Sequence, residues 1–199
     1  MAKPILLLTA PDAQHPFDGY LREVLLTEGY NAFEERTSPD ALTPTDLAPY
    51  PLVLVGAGAA TRLDPTVLEL YLRAGGRAVL MRPPTEWCSL LSLECPGQTY
   101  AIARDAYLRV RVEHPWLADF PAEWLQLPGE ADVYGPGASR SLARLAGQLH
   151  RAVPAPAVAL CRVGRGVAIA FAYDLADCVV RFHQGSPRNA SNGPDPDAN

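Results

Sequence analysis

The stretch from residue 51 to residue 81, PLVLVGAGAATRLDPTVLELYLRAGGRAVLM, constrains the fold of this chain more than any other. Its wholly apolar start, residues 51–59, is typical of a strand that is buried on both faces. The Asp-Pro pair at Asp64 provides an N-cap and a first-turn proline, and the Gly-Gly pair two residues after Arg73 stops the helix. A second apolar run follows at once. The stretch therefore predicts a strand-helix-strand unit with parallel strands.

The same alternation begins at the start of the chain. Residues 5–9 form an apolar run, residues 20–29 have helical spacing that ends in glycine, and residues 30–36 form a more polar strand that we place near an edge of the sheet. Strands that alternate with helices through short loops predict a parallel sheet covered on both faces. We therefore predict a flavodoxin-like, doubly wound α/β fold with a mostly parallel sheet.

The second half of the chain is less regular. Residues 156–173, PAVALCRVGRGVAIAFAY, contain two apolar runs around a Gly-Arg-Gly turn and predict a late β-hairpin. Residues 86–93 predict a short helix, and residues 98–115 predict one or two strands. The spacing of the leucines in residues 139–153, SRSLARLAGQLHRAV, predicts a helix.

Composition limits the class of protein. With 199 residues, 48% apolar and 20% charged, the chain suits one globular domain, which we place at residues 1–185 with a disordered polar tail at 186–199. The net charge of −5 argues against a nucleic-acid partner. The first apolar run is too short for a signal peptide or a membrane span, and the four cysteines lack metal-binding spacing. These features predict a cytoplasmic protein with no membrane partner.

Two segments carry a resemblance to a known superfamily. The strand-helix-strand unit at residues 51–81, and the late hairpin whose second strand ends in a polar residue, resemble class I glutamine amidotransferase-like domains. Within that superfamily the chain is similar to the non-amidotransferase branch, which includes ThuA-like proteins and the trimerisation domains of certain β-galactosidases. The resemblance covers residues 5–187. It implies further domains of a longer chain, or a homo-oligomer, as partners.

The catalytic pattern of the amidotransferases is not kept. Those enzymes present a cysteine on a tight elbow after the fourth strand, beside a histidine and a carboxylate. Here Arg82, Pro83 and Pro84 fill the elbow, and proline cannot adopt the strained conformation that an elbow requires. Tyr173 and Asp174 end the late strand without a histidine. We therefore predict a non-catalytic domain, a pseudoenzyme, with a binding or assembly role in a carbohydrate-related protein and with no cofactor or metal.

Asp174 is the leading candidate for a site residue. It follows a strand and precedes a helix, so it lies at the carboxyl edge of the sheet, where open α/β folds bind ligands. The alternative is a helix N-cap, and one carboxylate can serve both roles. An enzyme with non-thiol chemistry on a small sugar-like substrate, acting through Asp174, is accordingly a second hypothesis.

Other candidates surround the same edge. We expect ligand-binding side chains among Asp12, His15, Arg82, Glu86 and Tyr173, with Arg82 and Glu86 as an ion pair beside a pocket; the alternative for each is a surface or packing role. Cys88, several residues beyond the elbow, supports a third hypothesis, a Cys88-dependent hydrolase. The glycines of GAGAATR, residues 56–62, match no nucleotide-binding motif and predict only a close backbone approach.

Overall fold

A computed structural model describes residues 3–100, 108–115, 119, 124–135, 137–146 and 152–184. Its strands are β1 (Ile5–Leu8), β2 (Phe33–Arg36), β3 (Leu52–Val55), β4 (Arg77–Met81), β5 (Glu94–Tyr100), β6 (Leu108–Val112), β7 (Leu125–Leu127), β8 (Ala131–Gly135), β9 (Arg140–Ala146), β10 (Ala152–Val163) and β11 (Gly166–Phe171). Its α-helices are α1 (Leu21–Thr27), α2 (Pro44–Leu47), α3 (Ala57–Ala60), α4 (Pro65–Arg73), α5 (Cys88–Leu91) and α6 (Leu175–Gln184). The polar tail that we predict from residue 186 lies outside the described residues.

Within the described part of the chain, nine strands form one sheet in the order β2-β1-β3-β4-β11-β10-β9-β6-β7. The strands from β2 to β11 in that order pair in parallel, and the remaining pairs are antiparallel. The order of the parallel half is that of flavodoxin-like sheets, with β11 as its fifth strand. The predicted fold class is therefore confirmed, as is the edge position of β2.

Helices cover both faces of the parallel half because consecutive strand residues point to opposite sides. Leu6 and Leu8 pack into the same core as α4 and α5, whereas Leu7 lies on the opposite face with Leu21 of α1 and Ala176 of α6. All five side chains are buried. None of the described helices has the length and apolar character needed to cross a bilayer.

Two element predictions are wrong. The strand predicted at residues 51–59 ends at Val55, and the small residues after Gly56 form the short helix α3. The helix predicted at residues 139–153 is replaced, over its described part, by strand β9 and the start of β10. Leu142 and Leu145 are buried there, and β9 pairs with both β10 and β6. Tertiary pairing thus overrides the helical spacing of the leucines.

The late hairpin is confirmed as β10 and β11, and the short helix after the elbow as a 3-10 turn at Thr85–Trp87 followed by α5. A second, two-stranded sheet consists of β5 and β8. It is attached to the carboxyl edge of the main sheet, because Asp132 N donates to Ala172 O at 2.7 Å and Ala131 forms a bridge with Tyr173. This attachment forms one wall of the candidate site.

Candidate functional site

A cavity of about 280 Å³ lies at the carboxyl edge of the parallel strands. It is bounded by the loop after β1, the end of β4, the junction of β11 with α6, and the residue that precedes β8. Its charged and titratable lining consists of His15, Arg82, Glu130, Asp174, Asp177 and Arg181. Three of the predicted site residues, His15, Arg82 and Asp174, therefore meet around one concave space, at the edge where such folds bind ligands.

Arg82 occupies the elbow itself. It is the first residue after β4, its backbone N–H donates to Phe171 O at 2.9 Å, and its φ is 45°. A left-handed conformation in a residue other than glycine costs about 1–3 kcal/mol, and strained backbone of this kind is concentrated at functional sites. The other such residue in the described part of the chain, Ser92 with a φ of 54°, ends helix α5. The expectation that the prolines remove the strained elbow is therefore wrong. The strain is present, but it falls on Arg82, one residue before the diproline.

The side chain of Arg82 is held by the small sheet. Its Nε and Nη2 donate to the two carboxylate oxygens of Asp132 at 3.0 and 2.9 Å, and Nη1 lies 3.8 Å from Glu130. Thr99 also donates to Asp132, at 2.9 Å, and Tyr134 donates to Pro83 O at 2.8 Å. Burial alone would lower the pKa of Arg82, but the two carboxylates hold it above its usual value.

The predicted ion pair between Arg82 and Glu86 is wrong. Glu86 is exposed on the 3-10 turn after the diproline and does not line the cavity. Asp132 takes its place as the partner of Arg82, because the small sheet brings β8 over the end of β4. Asp132 lies 50 positions further along the chain than Arg82, so no local sequence pattern predicts the pair.

Asp174 caps α6 and also lines the cavity. Its Oδ1 caps α6 by accepting from the N–H groups of Ala176 at 2.9 Å and Asp177 at 3.4 Å. Its Oδ2 has no protein partner among the described residues, and the residue lines the cavity, so this oxygen is available to a ligand. Burial raises the pKa of Asp174, and the nearby charge of Asp18 raises it further.

Asp18 is a buried carboxylate that sequence reasoning missed. Its Oδ2 accepts from Ala10 N at 2.6 Å and Ala59 N at 3.2 Å, while Oδ1 has no partner among the described residues. Burial raises its pKa. A Cβ on Gly56 would collide with this carboxylate, and one on Gly58 would collide with Ala10 O. The interpretation of these glycines as a close backbone approach is confirmed, although its partner was not foreseen.

His15 is positioned by Asp12. Oδ1 of Asp12 accepts from the backbone N–H groups of Gln14 at 2.8 Å and His15 at 2.7 Å, and lies 3.3 Å from Nδ1 of His15. The backbone N–H of His15 is the main cause of a lowered pKa at Asp12. Asp12 is exposed and does not line the cavity, so its place is behind the imidazole rather than against a ligand.

Three lining residues were also missed: Glu130, Asp177 and Arg181. Nε of Arg181 binds both oxygens of Asp177, at 2.8 and 2.7 Å, across one turn of α6. The i,i+4 spacing of this pair is a readable helix signal, but it does not tell that the pair faces a cavity. Glu130 precedes β8 and reaches the cavity only because the small sheet docks there.

Two other predicted residues lie away from the cavity. Tyr173 is buried in the core, where its ring meets Phe171 edge to face with centroids 5.4 Å apart. Cys88 is buried in α5 and forms a disulfide with Cys95. A sulfur in a disulfide is not a thiolate nucleophile, so this arrangement gives the Cys88-dependent hydrolase no support. The disulfide also contrasts with the reduced cysteines expected of a cytoplasmic protein.

The lining is suited to binding a polar molecule. It combines guanidinium N–H donors, carboxylate acceptors and an imidazole, with Pro16 and Phe17 as apolar wall. Among the residues described, no group of three or more histidine, cysteine or acidic side chains is arranged to hold a metal ion.

No protein-family model matches the chain, and no curated protein matches it in sequence. Solved structures do share its fold. A β-galactosidase from Rahnella sp. R3 superposes with a TM-score of 0.64 at 14% identity, over 93% of this chain and 30% of that one. A protein described as ThuA-like from Bacteroides uniformis superposes with a TM-score of 0.60 at 15% identity, over 85% of this chain and 80% of that one. A cytoplasmic protein from Salmonella typhimurium LT2 superposes with a TM-score of 0.58 at 14% identity, over 85% of this chain and 87% of that one.

These likenesses confirm the resemblance at the level of the fold. The chain is similar over most of its length to the ThuA-like and Salmonella proteins, and it spans about 30% of the length of the β-galactosidase. Function does not follow from such a likeness, since one fold serves many activities, and it has to be argued from the cavity.

Proposed function

We propose that this chain is a non-catalytic amidotransferase-like domain that binds a small polar ligand in the cavity beside Arg82. The observation that carries the proposal is the strained elbow. A position that presents a nucleophile in the amidotransferases here presents an arginine, whose guanidinium is bound to Asp132. A guanidinium cannot act as a nucleophile, but it can orient a ligand through its N–H groups. The elbow thus supports binding rather than covalent chemistry.

The structural neighbours give this role a context. One neighbour is a β-galactosidase in which a domain of this fold accounts for about 30% of the chain. We infer that the present domain likewise serves a carbohydrate-related protein, by binding a sugar-like ligand or by joining chains into an assembly. The Salmonella neighbour is described as cytoplasmic, and we propose the same compartment for this chain, where the Cys88–Cys95 disulfide is an unusual feature.

The proposal is tested by ligand titration of the ¹⁵N-labelled chain, with monosaccharides added and amide shifts recorded. We expect saturable shifts around His15, Arg82 and Asp174, and no hydrolysis of glutamine. Arg82→Met should weaken binding by about tenfold or more, because a hydrogen-bonded charged group is lost. Arg62→Met is the matched control, since Arg62 pairs with Asp40 on the exposed surface. Glutamine hydrolysis, or shifts confined to other surfaces, would refute the proposal.

One observation favours the second candidate, an enzyme with non-thiol chemistry. The free Oδ2 of Asp174 reaches the same cavity as His15, and burial raises the pKa of this carboxyl group, which suits a general acid. The test is hydrolysis of a panel of nitrophenyl glycosides. An enzyme should lose turnover by about a hundredfold or more in Asp174→Asn while its fold is kept. Absence of turnover in the unmodified chain removes this candidate.

A further inference from the structure

The charged groups of the cavity are already paired within the protein. Arg82 binds Asp132 through two nitrogens, and Arg181 binds Asp177 through Nε. Glu130 lies 3.8 Å from the remaining Arg82 nitrogen. Each guanidinium therefore keeps N–H donors for a ligand, but its positive charge is balanced by carboxylates that the protein itself supplies.

The backbone groups that could bind an anion are occupied as well. In many α/β folds a phosphate binds the N–H groups at the start of a helix, beyond the carboxyl end of a strand. At the start of α6, the N–H groups of Ala176 and Asp177 bind Asp174 instead. Beyond β3, the N–H of Ala59 binds Asp18. Internal carboxylates thus stand where the negative group of a ligand would have to bind.

Acidic side chains outnumber guanidinium groups in the lining of the cavity. Its lining carries the two guanidiniums and three carboxylates, those of Glu130, Asp174 and Asp177. A further anion brought into this space would meet carboxylates at short range, and like charges placed together disfavour binding. A hydroxyl group meets no such penalty. It can donate to a carboxylate and accept from a guanidinium, so that neighbouring hydroxyls satisfy the alternating lining.

The volume limits the size of the ligand. Drug-sized ligands occupy pockets of about 300–1,000 Å³, and this cavity, at about 280 Å³, lies just below that range. Pro16 and Phe17 provide apolar surface for the carbon side of a ring. The space suits a ligand of about the size of one sugar ring.

We propose that the cavity binds one uncharged, monosaccharide-sized polyol and rejects its phosphorylated forms. This inference rests on the ligand-binding function proposed above and names the class of ligand.

The experiment compares neutral hexoses with their phosphates. Galactose, glucose and mannose, and the 6-phosphate of each, are titrated into the ¹⁵N-labelled chain, and the amide shifts of His15 and of Asp174–Arg181 are followed. At least one neutral hexose should saturate these shifts, and its phosphate should bind about tenfold or more weakly. A phosphate that binds there as tightly as its parent hexose, or more tightly, overturns the inference.

Charge variants test the cause. Asp174→Asn keeps an oxygen that can cap α6 but removes a negative charge. Glu130→Gln also removes a negative charge, at a more exposed position. In either variant the affinity for the neutral hexose should exceed the affinity for its phosphate by about threefold or less. Asp40→Asn, in the exposed pair with Arg62, is the control and should leave the preference unchanged. An unchanged preference in both cavity variants contradicts the inference.

The two proposals can fail separately. If neither hexoses nor their phosphates shift any cavity resonance, the ligand-binding function is wrong, and the inference about ligand class falls with it. If phosphates bind in the cavity in preference to hexoses, ligand binding stands and only the assignment of an uncharged ligand is wrong.

Discussion

The parallel and antiparallel halves of the main sheet differ in how far the local sequence specifies their elements. In the parallel half, apolar runs, caps and glycine stops specify each element locally, as at Asp64, whose side chain accepts from Thr66 N. In the antiparallel half, β9 has leucine spacing that suits a helix, yet it forms a strand between β10 and β6. Its structure is decided by neighbours distant in sequence.

The small sheet of β5 and β8 also depends on pairing between distant segments, and it matters for function because it brings Glu130 to the cavity. The parallel strands present Arg82 and Asp174 at their carboxyl ends, as the fold requires. Two carboxylates balance the charge of Arg82. Asp132 comes from the small sheet, and Glu130 comes from the segment before β8. The parallel strands thus provide the positions of Arg82 and Asp174, and the small sheet with the segment before it supplies the carboxylates that face Arg82.

The largest loss of stability should come from truncating a core leucine, and the loss should be similar in the parallel and the antiparallel half. Leu8 in β1 and Leu145 in β9 are fully buried. If both halves are packed as described, Leu8→Ala and Leu145→Ala should each lower the free energy of unfolding by about 2–5 kcal/mol. Chemical denaturation measures both values.

The control for that comparison lies on β9 itself. Arg144 is half exposed and pairs with Glu113, so Arg144→Ala should cost about 0.5 kcal/mol or less. A cost for Leu145→Ala as small as this would show that β9 is not packed against the sheet, and the described antiparallel half would be wrong.

A smaller effect is expected where the parallel half meets the small sheet. Arg82→Met leaves the half-buried carboxylate of Asp132 without its bidentate partner, which should cost about 1–3 kcal/mol. A double-mutant cycle with Asp132→Asn should give a coupling energy of about 0.5–3 kcal/mol. Additive effects would mean that the small sheet is not held to the elbow through this pair.

The elbow also predicts an unusual preference for glycine. Because Arg82 has a left-handed φ of 45°, Arg82→Gly should be more stable than Arg82→Ala by about 1 kcal/mol. Both variants lack the guanidinium, so their difference isolates the backbone. Denaturation curves compare them directly. If alanine proves equal to or better than glycine, the backbone at this position is not left-handed.

Features that depend on local sequence could be predicted, whereas contacts between distant segments could not. The alternation of strands and helices in the parallel half, the helix from Pro65 to Arg73 and the late hairpin all follow from local patterns. So does the placing of Asp174 at the carboxyl edge, since any residue after a parallel strand lies there. The bond between Arg82 and Asp132 spans 50 positions and depends on sheet pairing, which no local pattern encodes.

Asp18 gives the subtlest prediction, a change in how stability depends on pH. Its pKa is raised in the folded chain by burial, so folding favours the protonated carboxyl group. The contribution of Asp18 to stability is therefore fully present below its unfolded pKa, and it is lost as pH rises through the folded value. Asp18→Asn removes this titration. Relative to the unmodified chain, the variant should gain stability between about pH 4 and pH 7.

A comparison with Asp174 tests whether the two buried carboxyl groups influence each other's titration. Asp174 also has a raised pKa, with burial as the main cause and the charge of Asp18 as a further one. Removing the charge of Asp18 should therefore also weaken the pH dependence that Asp174 contributes, so that the double variant with Asp174→Asn gains less than the two single variants together. Free energies of unfolding at the two pH values measure this. A variant of Asp18 that loses relative stability as pH rises would mean that the N–H groups of Ala10 and Ala59 stabilise the carboxylate more than burial destabilises it.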